Sequence, residues 1–362
     1  MIDFEPDEEQ TLIVETVRQF AENEIRPQAR DCDESGKLPE ATLSQAHELG
    51  LVANALPEEF GGGGERSAVT GCLIAEELAW GDLSIALAIL SPGLLGLPLA
   101  DFGTDAQKKS HLAGLSGETF QDGALALVEP RFDFDVFRPQ TTARLDGADY
   151  VLDGQKCFVP WLGGNSPVLV IASEGGVSQG FLVPRDAPGL TATPEANMGI
   201  KGLPTVELAL DGVRVPQDAR LGGAAGADIR AIIHRGRVAL AATAVGVARA
   251  AFETARDYAK QRETFGAPIA TRQAIAFLLA DMAIEIDGAR LLVWEAASRL
   301  DRGLDVTRES ALAHAQVRRV SLQVADGAVQ VLGGHGYTRE YLPEMHLRNA
   351  TGFASFEALT LI

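Results

Sequence analysis

Thr141–Val159, TTARLDGADYVLDGQKCFV, is where the periodicity of the chain changes. Apolar and polar residues alternate along it, as on a strand with one buried face. Asp146-Gly147 and Asp153-Gly154 supply the positive φ that tight hairpins need. Downstream, VLVIA at 168–172, GFLVP at 180–184 and TVELALDGVRVP at 205–216 read as further strands with turn residues between them. Together they predict a small antiparallel β domain, a barrel or sandwich, over 121–222.

Both flanks have helical spacing. After the β segment come three long blocks, Ala231–Arg262, Thr271–Leu300 and Thr307–Leu332. Thr271 and Thr307 are expected N-caps, and Gly303 and Gly333 stand just past helix ends. Short connections between long amphipathic helices predict a C-terminal antiparallel helical bundle over 223–362. The small face Ala241, Ala242, Ala244, Gly246 and Ala248 predicts close helix contact, here taken as burial in an oligomer. Over 1–120 the residues Leu12, Val14, Val17, Phe20 and Ile25 share helical spacing, and Pro39–Gly50 and Ser67–Trp80 read as further helices. The fold class expected is therefore α+β: N-terminal helical domain, middle antiparallel β domain, C-terminal helical bundle. Gly61–Gly64 lacks the Gly-Lys-Ser/Thr ending of a phosphate loop and follows no strand, so a flexible turn is expected there.

Composition narrows the class. Hydrophobic residues at 46% and charged residues at 22% are those of an ordinary globular chain able to bury a large core. A formal charge of -19 argues against nucleic-acid binding, which needs basic surface. Cys32, Cys72 and Cys157 are far apart and odd in number, against a disulfide framework and in keeping with a reducing cytoplasm. The start, MIDFEPDEEQ, has no basic region leading into an apolar stretch, so no secretory signal is expected, and no apolar run reads as a membrane span. His234, His335 and His346 show no ligand spacing, so no metal site is expected.

Several strings then occur in one order: LPEEFGGGG from Leu56, AEELAWGD from Ala75, NMGIKGLPTVELALDGVRVP from Asn197, YAKQRETFGAPIATRQAIAFLLADM from Tyr258 and QVLGGHGYTREYLPEMHLRNA from Gln330. In sequence and spacing, nearly end to end, they resemble the acyl-CoA dehydrogenase family. The resemblance implies α,β-dehydrogenation of an acyl-CoA thioester with FAD. In that reaction a carboxylate takes the α-proton, a hydride leaves the β-carbon for the flavin, and preorganised donors hold the thioester carbonyl. It also implies a tetramer, and an electron-transferring flavoprotein as acceptor.

Residue by residue, the resemblance places the base at Glu357, six residues after Arg348-Asn349-Ala350. The text around it departs from the family pattern, because Tyr-Glu-Gly-Thr reads Phe356-Glu357-Ala358-Leu359. The other position used for a base is Gly236, so the choice is Glu357 or a carboxylate without that role. Arg262, Thr264 and Phe265, with Gln330, Gly333 and Gly334, match contacts to the ADP half of FAD in a neighbouring subunit; shaping a helix junction is the alternative. Arg237 matches a residue near the substrate, or makes a helix-surface ion pair. The chain's own half of the flavin site is altered. Thr-Glu-Pro-x-Ala-Gly-Ser-Asp reads Val128-Glu129-Pro130-Arg131-Phe132-Asp133-Phe134-Asp135, which loses a donor and puts an anion where pyrophosphate would lie. Lys-x-Trp-Ile-Thr-Asn reads Lys156-Cys157-Phe158-Val159-Pro160-Trp161, leaving Phe158 to stack on the flavin and Pro160 with nothing to donate. Two arrangements are open: a subunit of an α2β2 enzyme, paired with a paralogue and with its own flavin site decayed, or an autonomous homotetramer.

Overall fold

The computed structural model describes residues 6–362. The acidic start falls in part on Met1–Glu5, outside the described residues. Helix α1 (Glu8–Phe20) opens on a reciprocal cap, in which Asp7 accepts from the Gln10 N–H and the Gln10 side chain accepts from the Asp7 N–H. Val17, Phe20 and Ile25 are buried, while Leu12 faces outward. Then follow α2 (Ala29–Ser35), α3 (Glu40–Glu48), α4 (Ala68–Gly81), α5 (Leu83–Leu90), α6 (Gly93–Phe102) and α7 (Asp105–Leu115). The Gly61–Gly64 turn is tightly held, in contrast to the flexible turn expected. Its Gly62, Gly63 and Gly64 amides donate to Pro57, Ala53 and Leu56, and a Cβ on Gly62 would stand 2.1 Å from the Leu56 oxygen.

The middle segment forms one sheet from β1 (Ala124–Ala126), β2 (Thr142–Asp146), β3 (Asp149–Pro160), β4 (Val168–Glu174), β5 (Val177–Val183), β6 (Leu190–Pro194) and β7 (Thr205–Pro216). Most pairings are antiparallel, but β4 pairs in parallel with both β1 and β2, so the sheet is mixed. Asp146-Gly147 makes the expected β2–β3 hairpin. Asp153-Gly154 does not turn; it lies inside β3, where the register to β7 shifts and the Asp153 carboxylate accepts from the Gly212 N–H at 2.8 Å. A dipeptide able to turn is here held straight by a bulge on its neighbour.

The C-terminal segment contains α8 (Ile229–Gln261), a two-stranded hairpin β8 (Glu263–Thr264) and β9 (Ala267–Pro268), α9 (Gln273–Asp301), α10 (Thr307–Leu332), α11 (Gly334–Tyr337) and α12 (Pro343–Gly352). Helices α8, α9, α10 and α12 form the bundle, and α4 packs on α8 from the N-terminal part. Neither threonine is an N-cap. Thr271 donates to the Pro268 carbonyl before α9 begins, and Thr307 is the first residue of α10, held by Asp305, which accepts from its N–H and its hydroxyl. The small face of α8 is covered within the chain: a Cβ on Gly246 would stand 2.3 Å from the Glu76 oxygen of α4. Oligomer burial is not needed to explain it. Leu83–Phe102 and α8 are long and apolar enough by composition to cross a membrane, contrary to the sequence reading. Of those windows, 94% and 78% is buried inside the chain, as in core helices.

Candidate functional site

The sequence-marked residues gather in two separate places. The first is a cavity of about 610 Å³ between the sheet and the bundle, in the size range of small-molecule sites. Its walls are the loop Val128–Phe137, Cys157 and Phe158 of β3, Arg237 of α8 and the turn after α12 that carries Glu357. That turn is fixed by packing. Phe353 and Phe356 are buried, and Phe356 lies over Gly352 so closely that a Cβ there would fall 2.2 Å from its ring. Glu357 is thereby aimed at the cavity, where it meets Arg237. Arg237 Nη2 donates to Glu357 Oε1 at 2.8 Å and Nε donates at 3.2 Å, a charge-assisted fork. The same guanidinium lies 5.2 Å from the ring of Phe137, and Arg230 lies 4.6 Å from that ring.

Behind the fork are two histidines that no spacing in the sequence places there. Burial pushes the His314 imidazole below its usual value in spite of nearby Glu357, with Arg237 and Arg318 acting in the same direction as burial. His234 is likewise pushed down by burial and by Arg237 and Arg230, and its Nδ1 is 2.9 Å from Ser310 Oγ. Burial pushes the Cys157 thiol up to about 12, so it is no nucleophile.

Phe158 sits at φ 53°, an uncommon backbone for a bulky residue, at a second register shift between β3 and β7. Its N–H donates to Glu195 at 3.0 Å, and its ring meets Phe356 edge-on with centroids 6.0 Å apart. Glu129, in the loop beside it, is committed to structure. It accepts from the Gln140 and Thr141 N–H groups, the Thr141 hydroxyl and buried Lys156 Nζ at 3.0 Å. Burial would raise this carboxyl, but Lys156 and the two amides together hold it below the usual range. Arg131, also on the cavity wall, lies 3.3 Å from Glu129 and 3.7 Å from exposed Asp133.

The second place is a shallow cleft on the outer face of the bundle, lined by Tyr258, Arg262, Thr264, Gly333, Gly334 and His335 among others. Arg262 is the C-cap of α8, its N–H bonded to the Tyr258 carbonyl. Hairpin β8–β9 turns through Phe265 and Gly266, both at positive φ, and leaves Phe265 98% exposed at its tip. Gly333 ends α10 at φ 56°, and Tyr258 Oη and His335 Nδ1, 2.8 Å apart, tie the cleft floor. Gln330 is exposed on the last turn of α10 and, like Phe265, does not line the cleft. Arg262 makes no ion pair among the described residues, and a Cβ on Gly333 or Gly334 would meet nothing within 4 Å. An unpaired guanidinium beside backbone open to approach fits a phosphate-bearing group brought from outside the chain. Beside the cavity, the amides of Gln140 and Thr141 are engaged by Glu129 and that of Phe158 by Glu195.

Family models for the acyl-CoA dehydrogenase N-terminal, middle and C-terminal domains match residues 7–118, 124–213 and 226–357. The chain is 38% identical over 360 residues to the Bacillus subtilis (strain 168) protein named "Probable acyl-CoA dehydrogenase YngJ", covering 96% of this chain and 94% of that one. Butyryl-CoA dehydrogenase from Megasphaera elsdenii superposes with a TM-score of 0.88 at 31% identity, over 98% and 96% of the two chains. A glutaryl-CoA dehydrogenase from Mycobacterium smegmatis in complex with FADH2 gives 0.88 at 28% identity, over 97% and 91%.

Proposed function

Because the chain belongs to the acyl-CoA dehydrogenase family, whose members are oxidoreductases acting on acyl-CoA, we propose that it works as one subunit of a heterotetrameric acyl-CoA dehydrogenase. In this reading it lends half a flavin site to a paralogous partner and has lost the use of its own. Bound FAD supplies the hydride acceptor. Arg262 would hold its pyrophosphate, Thr264 would donate a hydroxyl, Phe265 would pack beside the ring system, and the backbone at Gly333 and Gly334 would take the close approach, with Gln330 alongside. An electron-transferring flavoprotein is the proposed acceptor. The observation that carries the reading is the contrast between the two places. The lending cleft is open with Arg262 in no ion pair among the described residues, whereas in the cavity Glu357, at the base position, is held by both donors of the Arg237 fork.

A second reading has its own support: Glu357, Phe158 and Arg237 line one cavity. An autonomous homotetramer would use them as base, flavin neighbour and substrate contact, once an acyl-CoA thioester drew Arg237 away from Glu357. The visible absorbance spectrum of the purified chain separates the two. Expressed alone it is expected to be colourless or substoichiometric in FAD, and to become yellow when co-purified with its partner. One FAD per chain in the homo-oligomer would establish the autonomous enzyme instead.

A further inference from the structure

Nothing in the spacing of His335 gives it a role, yet its side chain lines the cleft beside Arg262, Thr264, Gly333 and Gly334. The start of α11 sets it there. Gly333 ends α10 at φ 56°, and Gly336 then lies so close to α10 that a Cβ on it would fall 2.5 Å from the Val329 carbonyl oxygen. The backbone on both sides of His335 is thus fixed. Its ring is held between two tyrosines. Tyr258 of α8 meets it edge-on with centroids 5.8 Å apart, and Tyr341 lies tilted to it at 5.5 Å.

One ring nitrogen is engaged and the other is not. Tyr258 Oη is 2.8 Å from Nδ1, and this hydroxyl has no other acceptor among the described residues. The hydroxyl gives its proton to that bond, so the proton of the neutral ring is carried on Nε2. Nε2 bonds to nothing among the described residues and is not enclosed, so its N–H is open to the cleft.

The surroundings favour an anion at that N–H. Arg262 and Arg272 also line the cleft, and no carboxylate does. Neither guanidinium forms an ion pair among the described residues, although the chain as a whole carries a formal charge of -19. Arg272 Nη2 donates to the Thr264 carbonyl at 3.0 Å, which braces the β8–β9 hairpin beside the cleft. Two guanidiniums supply charge, and the His335 N–H adds a directed donor. Phosphate oxygens carry enough lone pairs to accept from all three.

We propose that His335 is a further cofactor-binding residue of the lending cleft, donating through Nε2 to a phosphate oxygen, and that Tyr258 is the positioning residue that fixes its ring. The proposal rests on the lending reading above and holds whether the neighbour is a paralogue or a second copy. Serial dilution of the purified flavin-bearing assembly, with released FAD read by its fluorescence, gives the dissociation constant that tests it. His335→Asn reaches the Nδ1 position, keeps a partner for Tyr258 and loses the outer donor. FAD should then bind about tenfold to a hundredfold more weakly. His335→Gln places an amide N–H where Nε2 was and should restore binding to within about threefold of the wild type. The phosphorus NMR signals of bound FAD should move in His335→Asn and return in His335→Gln. Should His335→Asn not assemble, His335→Phe keeps a ring between the tyrosines and should show the same loss. Tyr258→Phe should weaken binding less, because it frees the ring without removing the donor. Wild-type binding in His335→Asn, unmoved phosphorus signals, a His335→Gln as weak as His335→Asn, or an equal loss in Tyr258→Phe would each overturn the proposal. Arg262→Gln separates it from the reading beneath it. If that variant binds FAD as the wild type does, the lending reading and this proposal fall together; if it alone is weakened, only the proposal falls.

Discussion

Glu357 stands where a base is expected by spacing, and its carboxylate lies on Arg237, a residue 120 positions away. To take a proton from carbon it would have to give up charge-assisted bonds to Arg237 Nε and Nη2. In the heteromeric reading Glu357→Gln in this chain leaves the dehydrogenation rate of the complex unchanged. Steady-state assay of the co-purified complex checks this; a loss of about 10²–10⁴-fold is what removal of a working base would give. Glu129 is the contrasting carboxylate. It has the family's place in the sequence, yet every contact it makes serves the loop and Lys156, so its identity reports on architecture.

Helix ends show the same division at the scale of elements. Helix α5 is capped by Asp82, whose carboxylate accepts from the Ile85 N–H at 2.9 Å while wholly buried. Burial pushes its carboxyl up to about 6, and Asp33 adds to this, against the Ile85 and Ser84 amides and Arg26. With the folded value above the unfolded 3.8, the folded state binds the extra proton between those two limits. The stabilising share of Asp82 is therefore complete below about pH 4 and is lost as pH rises through about 6. Asp82→Asn keeps a good cap acceptor and removes the charge. Urea unfolding should show the variant gaining on the wild type by on the order of 3 kcal/mol between pH 4 and pH 7. A difference that stays flat over that window would mean that the charge is not the cost assigned to it. Thr271 and Thr307 were plausible caps by composition and were displaced by neighbours, because a cap depends on where the chain turns as well as on which hydroxyl is nearby.

At the scale of the whole molecule, α9 leaves one side uncovered. Phe277, Ile284 and Leu291 recur every seven residues and are 60%, 68% and 46% exposed. A stripe of that spacing on a long helix is the pattern of a helix–helix seam, and none of the described residues covers it. A second subunit is its expected cover, in keeping with the lending cleft proposed above. Replacing Phe277 and Ile284 together by Glu should split the assembly, measured by light scattering after size-exclusion chromatography. The flavin held by the complex should be lost with it. An intact assembly would move the seam to another face.

The sequence by itself determined the order helix, sheet, helix, the positions of the long helices and the family strings. Each of those is carried by local periodicity or by contiguous residues. It also marked Glu357, Arg237, Phe158, Arg262, Thr264, Gly333 and Gly334, which line the two candidate places, since their types and spacing are written along the chain. Only the tertiary structure decided that Glu357 closes on Arg237 and that β4 runs parallel to β1 and β2. The same holds for the small face of α8, spent on α4, and for residues 358–362, which are buried in the core. Those outcomes depend on which surfaces meet through space, where packing and charge pairing act between residues that share no local pattern.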